Sequence, residues 1–311
     1  SSPGIRARVR DAARRMPDAW FVGAYWSTVH ALREAPPGRR VLLAADVESV
    51  AAAKGLELVG ADGRARQEAA RLRDAETKAF GDVDHLLCLT AEDEASAARV
   101  LAERGGRRTP RIGRWPTGLP MPTPFDGPPA AEARTRLLLY GHWEADFNRD
   151  GLEWFVRDVW PTVRAARPEL RVRVVGRGAK KVRRPIEGVE WVGYVDDLRD
   201  ELEACHAVLV PLRYAGGLRY RLIEALAFGR PVICTPVAAA GAEAEAGRTH
   251  LEAVAPEQWI AALEALDDDE RARSLRDTGR DWARRRHGIE ASREAVRTLF
   301  DRLEMAGDDR P

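Results

Sequence analysis

Apolar runs of strand length alternate along this chain of 311 residues with longer stretches of helical period that are rich in Ala, Arg, Glu and Leu. This alternation is typical of βα units stacked around a parallel sheet. Strands are predicted at residues 19–24, 40–44, 85–89, 135–140, 170–175, 189–192, 207–210 and 231–234. Helices are predicted at residues 5–15, 65–80, 91–104, 151–167, 195–205 and 218–228, and from residue 256 onward. The sequence therefore predicts an α/β protein.

The alternation is interrupted at residues 109–129, where proline and glycine are frequent. Proline has a fixed φ and no backbone N–H, so this segment cannot continue a helix or a central strand. We interpret it as an interdomain linker, the alternative being a long surface loop within one domain. Two doubly wound domains are thus predicted, 1–129 and 130–311, which face a cleft at the carboxyl ends of their strands, where such folds bind ligands.

The composition excludes several classes of protein. The chain has 50 Lys and Arg against 49 Asp and Glu, whereas a protein that neutralises a phosphate backbone shows a clear basic excess, so no nucleic-acid partner is predicted. No apolar run approaches the roughly 20 residues that a bilayer requires, and the N-terminal SSPGIRARVR has no signal-peptide character, which predicts a cytoplasmic protein. Cys88, Cys205 and Cys234 lie far apart in apolar stretches and are predicted to be reduced core residues.

The densest local signal lies at residues 208–236, VLVPLRYAGGLRYRLIEALAFGRPVICTP. A predicted strand is followed by Gly216 and Gly217 and then by a helix with Arg219 and Arg221 in its first turns. Glycines at a helix N-terminus let backbone N–H groups approach an anion, and arginines add charge-assisted hydrogen bonds. The pattern is typical of a diphosphate cradle, and also of a plain glycine turn before a helix whose arginines are solvated.

Glu224 lies one to two turns inside the same helix and is followed by small apolar residues. A carboxylate in such surroundings needs a hydrogen-bond donor as partner. A ribose diol, which donates two hydrogen bonds, is one candidate, and the alternative is a glutamate on the protein surface.

Several segments resemble GT-B glycosyltransferases of the large family-4 type, which retain anomeric configuration. The signature segment of their C-terminal domain is similar to GGLRYRLIEALAFGRPVICTPVAAAG. Their first strand, donor-facing loop and following helix are similar to LLLYGHWEADFNRDGLEWFVRDVWPTV, the second strand and glycine loop to RVRVVGRG, and the base-binding segment to VEWVGYVDDLRDELEACHAVLVPL. RRVLLAADVES, the helix with Glu76 and DVDHLLCLTAEDE resemble the second half of the N-terminal domain. The resemblance implies two Rossmann-like domains around a central cleft, the N-terminal one shortened.

The resemblance further implies a metal-independent enzyme that moves a sugar from a nucleotide diphosphate donor to a hydroxyl or amine acceptor. It implies no cofactor besides the donor itself, linked to UDP, dTDP or GDP. Glu224 is expected to hold the ribose hydroxyls, and Arg219 and Arg221 are the expected catalytic residues. The other expected donor-binding residues are Gly141, His142, Asn148, Arg177, Gly193, Tyr194, Val195, Gly216, Gly217 and Leu218.

Three departures from the family pattern bear on catalysis. The family commonly has an acidic residue eight positions before the ribose glutamate, in contact with the donor sugar, where this chain has Gly216. It commonly has Arg and Lys in the loop after the first strand of the C-terminal domain, a charge that Arg219 and Arg221 are predicted to replace. A histidine often found before an aromatic pair falls here on Ala24. These departures keep two alternatives open, a non-catalytic module or partner subunit that binds nucleotide without turnover and, less favoured, a sugar-nucleotide epimerase.

Other charged groups are interpreted without a ligand. Asp82 and Asp84 precede a strand and are read as a helix-to-strand turn, and the six histidines lack the spacing of metal ligands on a helix, so no metal is predicted. Residues 267–270 are interpreted as a solvated helix cap. The arginines between residues 6 and 15 are interpreted as a solvated face, the alternative being peripheral contact with an anionic membrane that presents a lipid-linked acceptor. A small-molecule acceptor is the other expectation.

Overall fold

A computed structural model describes residues 3–60, 62–104, 109–125, 129–182 and 184–305. The chain divides into two units. The first unit contains Ser1–Thr117, Gly216–Leu218 and Ser292–Pro311, and the second contains Gly118–Ala215 and Arg219–Ala291. The division after Thr117 falls inside the segment that we interpret as a linker, of which residues 126–128 lie outside the described part.

The first unit is built on a parallel sheet of four strands in the order β1-β2-β3-β4. The strands are β1 (Phe21–Ala24), β2 (Arg40–Ala44), β3 (His85–Cys88) and β4 (Arg111–Arg114). Its helices are α1 (Pro3–Arg15), α2 (Val29–Leu32), α3 (Glu48–Val59), α4 (Gly63–Gly81) and α5 (Ala91–Arg104). The core of this unit lies on both faces of β2 and β3, where residues such as Leu42, Leu86 and Phe80 are fully buried.

The second unit is built on a parallel sheet of six strands in the order β10-β9-β8-β5-β6-β7. The strands are β5 (Arg136–Tyr140), β6 (Arg171–Val175), β7 (Val189–Gly193), β8 (Ala207–Val210), β9 (Val232–Cys234) and β10 (Leu251–Glu252). Its helices are α6 (Asp146–Trp154), α7 (Trp160–Ala166), α8 (Leu198–Glu203), α9 (Tyr220–Ala227), α10 (Pro236–Ala239), α11 (Pro256–Asp267) and α12 (Asp269–His287). The final helix, α13 (Ile289–Met305), starts in this unit, and its residues from Ser292 group with the first unit. Trp143, Trp160 and Trp259 anchor the core of the second unit.

The structure departs from the predicted elements in several places, and the short elements α2, α10 and β10 were not predicted. The proline-rich segment begins with β4, which lies at the edge of the first sheet, where proline neighbours are tolerated. Helix α3 occupies residues where no helix was predicted. The helix predicted at 151–167 is interrupted by a π-helical turn at Phe155–Val159, directly before α7, which has Pro161 in its first turn. Proline cannot donate to the carbonyl four residues earlier, and its ring displaces that carbonyl, so the preceding turn widens.

None of the helices in the described part of the chain is long and apolar enough to cross a membrane.

Candidate functional site

The strand order of the second sheet reverses between β5 and β8, because the chain first adds β6 and β7 on one side and then β8, β9 and β10 on the other. Crevices at the carboxyl ends of strands beside such a reversal are the usual ligand sites of open α/β sheets. A cavity of about 330 Å³ lies at the carboxyl ends of β5, β6 and β7. It is lined by Tyr140, Gly141, His142, Val175, Gly176, Arg177, Tyr194, Val195 and Leu198.

The loops after β5 and β6 approach each other so closely that one position must be glycine. A Cβ atom on Gly176 would lie 2.0 Å from the carbonyl oxygen of Gly141, and its φ of +120° is unfavourable for any residue with a side chain. The Gly176 N–H donates to the carbonyl of Gly193 at 2.7 Å, which ties the loop after β6 to the end of β7. Backbone contacts therefore fix the wall of the cavity.

Glu224, the predicted ribose ligand, contacts the residue that ends β5. The hydroxyl of Tyr140 lies 2.9 Å from Glu224 Oε2 and 2.9 Å from the carbonyl oxygen of Arg221. Burial raises the pKa of Tyr140 well above its ordinary value, and the nearby Glu224 carboxylate adds to this effect. Tyr140 is therefore a neutral hydrogen-bond donor that orients the Glu224 carboxylate at the edge of the cavity.

Arg221, a predicted catalytic residue, lies under the loop that follows β5. Its Nη2 donates to Asn148 Oδ1, and Asn148 Nδ2 donates to the carbonyl of His142 at 3.0 Å. A Cβ on Gly141 would lie 3.0 Å from Arg221 Cζ, so the guanidinium packs closely against this glycine. Arg221 Nη1 is buried and has no hydrogen-bond partner among the described residues. Burial lowers the pKa of Arg221, yet arginine keeps its charge in proteins.

The other residues of the predicted diphosphate cradle are already engaged in contacts with the protein. Arg219 precedes the first residue of α9 and its Nη2 donates to the carbonyl of Val237 at 2.9 Å. Gly216, Gly217 and Leu218 group with the first unit, where the Gly217 N–H donates to Asp93 Oδ1 at 3.3 Å. The diphosphate role of these residues stays a prediction.

The residues expected to flank a base lie on the wall formed by β7 and the start of α8. Tyr194 is 67% exposed and presents a free ring face, while Val195 and Leu198 contribute apolar surface. On the opposite wall, His142 Nε2 lies 3.1 Å from Glu144 Oε2, and Glu144 also pairs with Lys181. The hydrogen bond from Lys181 is the main reason why the pKa of Glu144 is lowered.

The acidic residues Asp82 and Asp84, for which no ligand was predicted, have partners within the protein. Asp84 accepts the backbone N–H groups of Gly38 at 2.6 Å and Arg40 at 3.1 Å, and Asp82 pairs with Arg33. The described residues contain no cluster of three or more His, Cys, Asp or Glu able to hold a metal ion. The three cysteines are buried and free, as predicted, and burial raises the pKa of Cys88 and Cys205 to about 12.

Sequence reasoning missed Tyr140 and Leu198 as parts of this site. Both lie where the carboxyl end of a strand or the next helix start meets the cavity. For Tyr140 the available signal was its position at the end of a predicted strand, because the carboxyl ends of parallel strands collect at one edge of a sheet.

Comparison with known proteins places this geometry in context. Residues 134–269 match the family model described as Glycosyl transferases group 1, and the comparison with curated proteins finds no match. A sucrose-phosphate synthase from Thermosynechococcus elongatus has a TM-score of 0.71 at 19% identity, over 98% of this chain and 78% of that chain. TarM has a TM-score of 0.69 at 13% identity over 95% of this chain, which spans only 58% of the TarM chain.

HepE from Anabaena, in complex with UDP and glucose, has a TM-score of 0.65 at 10% identity, over 95% of this chain and 80% of that chain. At such identities the likeness concerns the fold. The predicted α/β fold class and the resemblance to the C-terminal domain of GT-B glycosyltransferases are confirmed. Over residues 134–269 the chain is similar to the Glycosyl transferases group 1 family, and its fold is similar to that of these solved structures.

Proposed function

We propose that this protein transfers a sugar from a nucleotide diphosphate sugar to a hydroxyl or amine acceptor, with retention and without a metal ion. The observation that carries the proposal is the Glu224 carboxylate, held by the Tyr140 hydroxyl at 2.9 Å beside the cavity of the second unit. This pair lies within the residues that match the family model.

The Glu224 carboxylate is suited to a ribose diol. A carboxylate has two oxygens and about four acceptor positions, so Glu224 can accept from two ribose hydroxyls while it also accepts from Tyr140. The exposed ring of Tyr194 and the side chain of Val195 offer a flat, partly apolar surface for a base. Arg177 lines the same cavity and supplies hydrogen-bond donors at its exposed rim.

The charge of Arg221 supports a diphosphate next to the loop after β5. Its guanidinium lies directly under Gly141, a residue of the cavity wall, and its Nη1 lacks a hydrogen-bond partner among the described residues. A buried cation with an unused donor attracts an anion strongly, because little water competes there. Arg219 and the amides of Gly216 to Leu218 precede the same helix and would add donors.

These donors would stabilise the nucleoside diphosphate as the glycosidic bond to the donor sugar breaks. Negative charge grows on the leaving phosphate oxygen, and arginines and backbone amides fixed in advance stabilise such charge without reorganisation. This is the role that a divalent ion takes in metal-dependent transferases. Arg219 and Arg221 are therefore the proposed catalytic residues.

The base, the acceptor and the location of the reaction complete the proposal. UDP is the first nucleoside diphosphate to test because the similar HepE structure contains UDP. The other candidates are dTDP and GDP. The acceptor is a small molecule or a lipid-linked molecule met at the cytoplasmic face of a membrane. Two of the α1 arginines, Arg6 and Arg10, already pair with Glu34, so the remaining arginines of α1 would make any contact with lipid.

Calorimetric titration with UDP, dTDP and GDP tests the site. Glu224→Gln keeps the volume of the side chain and removes its charge, so we expect nucleotide affinity to fall about 10- to 100-fold, the usual value of a hydrogen bond to a charged group. Glu264→Gln, an exposed residue of α11, is the matched control and should bind as the wild type does. Absence of binding by all three nucleotides, or equal affinity of both variants, contradicts the proposal.

Turnover of a sugar donor distinguishes a glycosyltransferase from a non-catalytic module and from an epimerase. Release of nucleoside diphosphate from UDP-glucose, dTDP-glucose or GDP-mannose is expected for the wild type. It should be lost when Arg219→Ala and Arg221→Ala are combined, with folding verified by circular dichroism. Binding without turnover of any donor would instead indicate a non-catalytic module or partner subunit. A change of the donor's sugar by NMR without acceptor would indicate an epimerase.

A further inference from the structure

Helix α8 carries one wall of the cavity in the second unit but has little buried surface of its own. Its first residue, Leu198, lines the cavity together with residues 194–195. All six residues of α8 are described, and Leu202 alone among them is buried. The middle of the helix is held by Glu201, whose carboxylate accepts from Arg173 of β6 at 2.7 and 2.8 Å. A helix of this length does not persist without tertiary contacts, so the position of the wall also depends on what holds the two ends of α8.

Two arginines hold these ends. Arg199, in the first turn of α8, donates from Nη1 to the carbonyl of Thr123 at 2.9 Å. At the last turn, Arg230 donates from Nε to the carbonyl of Leu202 at 2.7 Å and from Nη2 to that of Glu203 at 3.0 Å. The last carbonyls of a helix have no partner within it, so Arg230 caps the carboxyl end of α8.

The buried ring of Phe125, in the proline-rich segment, joins the two arginines. The guanidinium carbon of Arg230 lies 4.4 Å from the centre of this ring, and that of Arg199 lies 4.6 Å from it. Phe228 stacks on Phe125 with the ring centres 5.4 Å apart, and its carbonyl accepts from the Phe125 N–H at 3.1 Å. Cation–π contacts gain strength where water is excluded. These four residues, Phe125, Arg199, Phe228 and Arg230, form the Phe125 cluster, and all of them belong to the second unit.

We propose that the Phe125 cluster positions the cavity wall at residues 194–198 for nucleotide binding, so that part of the proline-rich segment is a positioning element of the nucleotide site. This inference rests on the proposed function, in which this wall flanks the base. The four residues of the cluster are all described and are not among those that line the cavity, so they act through α8. Coupling between two sites is reciprocal, and a nucleotide that orders the wall therefore strengthens the attachment of Phe125 by the same factor.

Calorimetric titration with UDP, dTDP and GDP measures the effect of the cluster on binding. Phe125→Leu keeps an apolar side chain and removes the ring face, and Arg199→Met keeps the apolar stem and removes the guanidinium. For the nucleotide that binds the wild type, each variant is expected to raise the Kd about three- to tenfold, the value of a cation–π contact. Arg199 is only partly buried, so Arg199→Met is expected to fold even where Phe125→Leu does not.

Two variants of the same unit serve as matched controls. Phe155→Leu removes a buried ring that packs edge-on against Trp259 in the core. Arg280→Met removes a guanidinium that pairs with Asp277 on α12. Both should leave the Kd for nucleotide within about twofold of the wild-type value.

Hydrogen exchange followed by NMR measures the coupling in the other direction. The Phe125 N–H donates to Phe228, whereas the N–H of Leu119, in the same segment, donates to the carbonyl of His287 at 2.7 Å and serves as the internal reference. Saturating nucleotide is expected to slow exchange at Phe125 about three- to tenfold more than at Leu119 in the wild type, and equally at both positions in Arg199→Met. A merely structural role of the cluster would not produce this difference.

The outcomes separate the two proposals. Absence of binding by all three nucleotides overturns the proposed function and this inference with it. Three other results overturn the positioning role alone, given that the wild type binds a nucleotide. They are a Kd changed less than about twofold by Phe125→Leu and Arg199→Met, losses of affinity equal to those of the two controls, and equal slowing of exchange at Phe125 and Leu119 in the wild type.

Discussion

The two sheets differ in their strand order. In the second unit the strand order reverses between β5 and β8, and the loops beside this reversal line a cavity. In the first unit the four described strands follow one another in sequence order, without a reversal. Reversal leads successive connections to opposite faces of a sheet and opens a crevice between them. The comparison teaches that the cavity of the second unit lies beside the reversal of its strand order.

Carboxylates that accept hydrogen bonds from the protein have different donors in the two units. In the first unit, Glu76 and Asp84 accept hydrogen bonds from backbone N–H groups, two each, and thereby stabilise loops of their own unit. In the second unit, Glu224 accepts from the hydroxyl of Tyr140 at the edge of the cavity. An acid that accepts from backbone N–H groups is used for stability, whereas one held by a side-chain donor beside a cavity keeps acceptor positions for a ligand.

The largest expected effect breaks the cavity wall of the second unit. Gly176→Ala would place a Cβ 2.0 Å from the carbonyl oxygen of Gly141 at a φ of +120°. We expect a loss of about 3–5 kcal/mol in the free energy of unfolding of this unit, because both a backbone clash and an unfavourable φ must be accommodated. Urea unfolding measures it.

Gly60→Ala is the matched control in the first unit. Its φ is also positive, at +75°, but among the described residues other than its chain neighbours no atom lies within 4 Å of the added Cβ. The expected loss is about 1–2 kcal/mol, from φ alone. Similar losses for both variants would contradict the close approach of the two loops at Gly176.

The next effect is a pH dependence of the first unit. Burial raises the pKa of Glu76 from 4.5 to about 7. The folded state therefore holds a proton that the unfolded chain releases, and stability falls as pH rises from about 4.5 to 7. The loss is about 3 kcal/mol relative to Glu76→Gln, which has no such proton. Urea unfolding of both proteins across this range checks it, and parallel pH curves would contradict a raised pKa of Glu76.

His287 gives the stability of the second unit a pH dependence of the opposite sign. Burial lowers its pKa from 6.5 to about 4, with a further contribution from the charge of Arg286. The unfolded chain binds the proton first, so stability is complete above pH 6.5 and falls as pH decreases toward 4. Relative to His287→Phe, which keeps an aromatic ring beside Trp282, we expect a loss of about 3 kcal/mol. A rise in stability on acidification would contradict the buried neutral imidazole.

The fold was largely predictable from sequence because strands of a parallel sheet are apolar on both faces. All eight predicted strands are present, since runs such as those of β5 and β8 need no tertiary information. Strand β4 escaped prediction because prolines flank it and it lies at the sheet edge. The break before Pro161 was not recognised, because a proline in an otherwise helical pattern leaves open whether the helix ends or bends there.

The site was predictable only where it is local in sequence. Glycines, arginines and Glu224 lie within one segment, and their spacing suggested an anion site next to a diol ligand. The partner of Glu224, Tyr140, is 84 residues away, and the partner of Arg221, Asn148, is 73 residues away. No periodicity links such positions, because the packing of β5 against α9 creates the contact. In the structure Asn148 Oδ1 accepts from Arg221, and the role of Asn148 as a donor ligand stays a prediction.

The smallest effect sharpens the comparison by asking whether the two units unfold separately. Each contains a helix of 19 residues capped by aspartate, α4 by Asp62 and α12 by Asp268. Asp62 accepts from the N–H of Ala65, and Asp268 accepts from those of Glu270 and Arg271, which confirms the predicted cap at residues 267–270. Replacement of either aspartate by alanine is expected to cost about 1 kcal/mol. If the units unfold separately, calorimetry should show two transitions, of which Asp62→Ala lowers only one and Asp268→Ala only the other. Equal shifts of a single transition would show that the two sheets, despite their different strand orders, unfold as one cooperative structure.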